Sequence, residues 1–103
     1  MTHPTGGLSD VVHQRHRLGI LTIAAEATRV EFTYLKNALE LTGGNLNRHL
    51  AVLEDAGMVT LEKAIEGRRP KTWVVITKAG RGALAAEIAA LEALVRRHRA
   101  QQP

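Results

Sequence analysis

The run Leu41-Thr42-Gly43-Gly44-Asn45-Leu46-Asn47-Arg48-His49-Leu50-Ala51-Val52-Leu53-Glu54-Asp55-Ala56-Gly57 decides how this chain folds. Leu46, Leu50 and Leu53 recur four and three residues apart, which places them on one face of an α-helix. Thr42 is an N-cap by type, because its hydroxyl accepts a bond from an unsatisfied amide of the first turn. Gly57 suits the left-handed residue that closes a helix. The reading is a turn at Leu41–Gly44 and a helix from Gly44 to Ala56.

Upstream, Leu35, Ala38 and Leu39 form the inner face of a shorter helix expected from Thr33 to Leu41, with Thr33 as its cap and Phe32 as a hydrophobic staple. Arg29-Val30-Glu31-Phe32 before it has room only for a short strand. Two helices joined by a brief glycine-containing turn make a helix-turn-helix. With its leucines turned inward, the second helix keeps Asn45, Asn47 and Arg48 outward near its start, with His49 at the margin. Asn pairs with adenine and Arg with guanine through two matched hydrogen bonds each, so this face has the chemistry to read bases in a major groove.

Beyond Gly57 the period becomes two. Val59, Leu61 and Ile65 are expected on one side, Thr60, Glu62 and Ala64 on the other, with Lys63 interrupting the apolar row. Gly67-Arg68-Arg69-Pro70-Lys71 reads as a turn and Thr72–Ile76 as the return strand of a hairpin. The tip carries Arg68, Arg69 and Lys71, cations suited to phosphates or to the negative potential of a narrow minor groove.

From Thr77 a helix is expected to about Arg99, followed by a frayed tail to Pro103. Leu84, Ile88, Leu91 and Val95 form a heptad seam with Leu94 beside it, and the alanines between them permit close approach. Such a helix, ~30 Å long at about 1.5 Å per residue, outruns a small domain, so the seam is expected to dimerise. At the other end, Val11, Val12, Leu18, Leu21 and Ala25 suggest a helix from about Asp10 to Ala27, preceded by a mobile leader over residues 1–9. The division is leader 1–9, DNA-binding domain 10–77, and dimerisation helix with tail 78–103.

A chain of 103 residues holds one core and no second catalytic domain. Aromatics are only 3%, so the core must be aliphatic, in a mainly α fold with a small β-hairpin. A net charge of +4 and a pI near 10.1 favour a polyanionic partner. The absence of cysteine excludes a disulfide framework, a thiolate metal site and a cysteine nucleophile. His13 and His16 are three apart but have no third ligand at useful spacing, so no metal and no cofactor is expected. Ser9 is the only serine and no phosphate-binding glycine loop occurs, which argues against an enzyme. With neither a secretory signal nor an apolar run of membrane-spanning length, a cytoplasmic location is expected.

The blocks Phe32–Lys36, Leu41–Leu50, Leu53–Val59, Glu66–Thr72 and Ile76–Arg81 together resemble the winged helix DNA-binding family close to the MarR and ArsR regulators, over roughly Leu18 to Leu94. The resemblance implies the order α-β-α-α-β-β-α and a homodimeric bacterial-type transcription regulator on a palindromic double-stranded operator. It implies a recognition helix fronted by Gly44, Asn45, Asn47, Arg48 and His49, further DNA contacts from Thr33, Lys36 and Thr42, and a wing of Arg68, Arg69 and Lys71. The chain departs from the family in lacking the cysteine ligands of metal-sensing ArsR proteins and in being shorter than most MarR proteins, so an effector stays an open question. The rival reading is a winged helix that serves only as a protein-interaction module in a larger assembly.

Overall fold

A computed structural model of the chain describes residues 3–102. Met1 and Thr2 of the expected leader and Pro103 of the expected frayed tail lie outside the described residues. A 3-10 turn at Pro4–Gly7 is followed by α1 (Arg15–Ala25), β1 (Val30–Glu31), α2 (Phe32–Ala38), α3 (Gly43–Asp55), β2 (Val59–Glu66), β3 (Arg69–Ile76) and α4 (Lys78–Ala100). The sheet is antiparallel in the order β1-β3-β2, with Val30 opposite Val74 and Val59 opposite Ile76. This is a winged helix with a long C-terminal helix.

The core is aliphatic. Ile20, Leu21 and Ala24 of α1, Leu35 of α2, Leu46, Leu50 and Leu53 of α3, and Val59, Val74 and Ile76 of the sheet are buried together. The apolar stripe of α3 thereby fixes the rotation of the helix, and with it which side chains face outward. Gly57, at φ 74°, closes α3: the Met58 amide bonds to the Leu53 carbonyl and the Gly57 amide to that of Glu54.

Several boundaries differ from the sequence reading. α1 begins at Arg15 rather than Asp10, because the Ser9 hydroxyl accepts from the Val11 and Val12 amides and holds that stretch in a turn. Gln14 then caps the helix, its Oε1 accepting from the His16 and Arg17 amides, both at 2.9 Å. Val12 leaves the helix and enters the core directly. α2 starts at Phe32 with Glu31 as its cap, so Thr33 lies inside the first turn; pairing of Glu31 with Trp73 keeps the backbone extended up to that point. α2 also stops at Ala38, short of Leu41, with Glu40 taking the left-handed conformation at φ 54°.

β3 begins at Arg69 rather than Thr72, leaving Gly67-Arg68 as a two-residue loop between the paired Glu66 and Arg69. Gly67 has φ 65° and supplies the positive φ that such a tight hairpin needs at its first loop position. Pro70 sits opposite Ile65 in the next, non-hydrogen-bonded pair, where its missing amide costs nothing. The hairpin runs past the body of the domain, so Ile65, expected with the inward residues, is 78% exposed. The segment read as a mobile leader packs along α4 in its described residues: Gly7 lies over Ala90 and the Ser9 amide donates to Glu87 Oε1 at 3.0 Å.

Candidate nucleic-acid interface

The start of α3 is built by its cap. Thr42 Oγ1 accepts from the Asn45 amide at 3.1 Å, which sets the first turn. Gly44, Asn45, Asn47 and Arg48 follow on the exposed surface, while His49 is half-buried. Thr33 and Thr42 are exposed and Lys36 is half-buried.

His49 belongs to a network that sequence reasoning missed. Arg17 of α1 donates through Nε to the Val11 carbonyl at 2.6 Å and through Nη2 to the Asp10 carbonyl at 3.3 Å. Its Nη1 meets His49 Nδ1 at 3.2 Å, and the His16 ring stands 5.4 Å from that of His49. Burial first, and then the charges of Arg17, His16 and Arg48, hold His49 below the ordinary imidazole value of 6.5. Nothing in the sequence distinguished Arg17 from an ordinary solvated cation on a helix.

At the wing, Arg68 and Arg69 are exposed. Lys71, expected with them at the tip, lies on the flank of β3. Its Nζ reaches Glu66 at 3.1 Å and Glu31 at 3.8 Å. The Glu66 bond, then the Glu31 charge, raise its pKa above the usual 10.5. Trp73 forms the floor of this flank, with the Arg29 guanidinium 3.9 Å from its ring centre.

Of the α4 residues expected to dimerise, Leu84 packs against the domain's own core. Leu84, Leu91 and Leu94 are half-buried, while Ile88 and Val95 stand 38% and 46% exposed. Beside them Glu87 is fully buried, accepting from the Ser9 amide and pairing with His13 Nδ1 at 2.8 Å. Its signal was in the sequence: Glu87 falls three after Leu84 and four before Leu91, on the same helix face. His13 and His16 do not converge, since His13 goes to Glu87 and His16 lies beside Gln14 and His49. Among the described residues no three His, Asp or Glu side chains gather as a metal site requires, and no helix is long and apolar enough to cross a membrane.

A helix-turn-helix followed by a two-stranded wing defines the winged helix class, and comparison with known proteins agrees. The chain matches the profile of the winged helix DNA-binding domain over residues 16–95 and belongs to that family. It is 43% identical over 65 residues, 63% of this chain and 71% of the relative, to an uncharacterized protein of Methanocaldococcus jannaschii. The structure of a transcriptional regulator homologue from Pyrococcus horikoshii is 33% identical with a TM-score of 0.79, covering 85% of this chain and 87% of that one. The transcriptional regulator BldR from Sulfolobus solfataricus is 25% identical with a TM-score of 0.72, covering 86% and 63%. A MarR-family and an ArsR-family regulator, each 19% identical, share the fold.

Proposed function

We propose that this chain is a cytoplasmic transcription regulator that binds double-stranded DNA sequence-specifically as a homodimer. The carrying observation is the outward, polar start of α3, where Asn45, Asn47 and Arg48 are exposed on a helix whose other face is locked into the core. In this reading α3 enters the major groove, with Gly44 at its close approach and Asn45, Asn47, Arg48 and His49 toward base edges. Thr33, Lys36 and Thr42 meet the backbone beside it. Arg68 and Arg69 follow the phosphates or the minor groove, and Lys71 supports them. The open row of Ile88, Leu91 and Val95 on α4 pairs with its copy about a two-fold axis, which matches a palindromic operator.

Selection of duplexes from a random pool, followed by a salt titration on the winner, tests this. A preferred palindrome whose affinity falls linearly in log salt supports it, by about 0.9 per phosphate contacted. Failure to enrich any duplex, with flat salt dependence, would instead assign the arginines to a protein partner.

A further inference from the structure

We infer that Arg17, on α1 and outside the helix-turn-helix, is a positioning residue that sets His49 as a one-directional hydrogen-bond donor to a base edge; this rests on the DNA reading above. A guanidinium only donates and stays charged. The ring nitrogen that faces Arg17 Nη1 at 3.2 Å is therefore the acceptor, Nδ1. A neutral imidazole with Nδ1 accepting carries its proton on Nε2. Among the described residues Nε2 has no acceptor, and the ring is half-buried rather than covered.

Position supplies the target. His49 is four residues after Asn45, one turn further along the same helix face. A donor there faces what Asn45 faces, and the acceptors offered by a major groove are guanine N7 and O6, adenine N7 and thymine O4. Arg17 itself is braced by the Val11 and Asp10 carbonyls, so the ring is held by the folded N-terminal turn and not by a swinging side chain.

Protonation of His49 would remove the acceptor at Nδ1 and set a second cation against Arg17, with His16 and Arg48 adding to the repulsion. The neutral form is the one folding favours, since burial and those charges keep His49 below 6.5. The contact is thus present above that pH and lost as pH falls through the depressed value.

The test compares wild type, Arg17→Met, Arg17→Lys, His49→Gln and His49→Ala for base preference on the selected duplex, with helical circular dichroism as the folding control. Nitrogen-proton correlation NMR on the free protein reads the His49 tautomer without DNA. The expected results are an Nε2–H tautomer in wild type, a mixture in Arg17→Met, and loss of ~2- to 10-fold preference at one base pair, as one hydrogen bond supplies. His49→Ala relaxes that same pair, and adding Arg17→Met to it changes that preference no further. Arg17→Lys, whose ammonium likewise only donates, recovers part of the preference. His49→Gln, which leaves the brace intact, folds as wild type and retains part of the preference. A pure Nδ1–H tautomer, or unchanged preference in Arg17→Met, overturns the role of Arg17. An equal loss on every duplex sends Nε2–H to a phosphate and overturns base reading. A chain that binds no duplex while keeping the Nε2–H tautomer sinks the DNA reading itself.

Discussion

α3 and α4 are both amphipathic, yet one is inside out relative to the other. α3 buries Leu46, Leu50 and Leu53 and leaves Asn45, Asn47 and Arg48 to water. α4 buries a carboxylate, Glu87, completely and leaves Ile88 and Val95 38% and 46% exposed. Each arrangement follows from what lies opposite. The domain core covers one side of α3, and among the described residues the other side, with Asn45, Asn47 and Arg48, is left exposed. On α4 the N-terminal turn lies over Ala90 and brings the Ser9 amide and His13 to Glu87, so a charge is satisfied there. The neighbouring face is only partly covered among the described residues: Leu91 is half-buried and Ile88 and Val95 are exposed. Burial is therefore a property of the pair of surfaces, and residue type alone foretells it only when the partner surface is the core.

The largest effect should come from the partly covered face. Replacing Leu91 and Val95 together by Glu is expected to give a folded monomer with helical circular dichroism retained and the sedimenting mass halved. Two linked half-sites exceed one by roughly 10²- to 10⁴-fold in affinity, so operator binding should fall by that order while non-specific binding falls far less. A wild-type chain that sediments as a monomer at micromolar concentration without DNA would return the seam to an intradomain role.

The covered face comes next. Glu87→Ala strips the acceptor from the Ser9 amide and from His13, and should destabilise the fold by about 2–4 kcal/mol in urea unfolding. His13 is 53% exposed, which keeps the cost toward the lower end. Glu87→Gln retains an oxygen for the Ser9 amide and an N–H for neutral His13, so most of the stability should return. If Glu87→Leu proves as stable as wild type, the N-terminal turn is held by packing alone.

The same contrast explains what could be read in advance. The leucines of α3, its Thr42 cap and the Gly57 closure are local signals, and the fold and the outward residues followed from them. The sequence pattern carries α2 past its end because Glu40, not a glycine, takes the left-handed position that stops it. The pattern starts α1 too early because Ser9 and Gln14 set up competing side-chain to backbone bonds that periodicity does not register. The Arg17–His49 contact spans 32 residues and the Ser9–Glu87 contact 78, and no short-range pattern carries either.

On α3 itself, Arg48→Ala should cost about 1–3 kcal/mol on the preferred duplex and relax one base position, with Asn45→Ala and Asn47→Ala behaving alike at others. Competition binding against single-base variants measures this. If all three leave operator affinity unchanged, the polar face of α3 is ordinary solvated surface and its contrast with α4 has no functional meaning.

The smallest effect separates cations within the wing. Arg68 and Arg69 are exposed at the hairpin tip, whereas Lys71 is held between Glu66 and Glu31. A cation already paired with carboxylates displaces few counterions from DNA, and each phosphate truly contacted adds about 0.9 to the salt slope. Replacing Arg68 and Arg69 by Gln should therefore flatten the slope by roughly 1.8 and weaken all duplexes alike, leaving base preference intact. Lys71→Gln should barely move it. The pairing of Lys71 raises its pKa, so whatever it contributes to the hairpin is present below 10.5 and lost only as pH rises past that value; the slope comparison at neutral pH is thus made with the ammonium fully charged. A drop for Lys71→Gln equal to that for Arg68→Gln would mean that Lys71 leaves its carboxylates for a phosphate when DNA arrives.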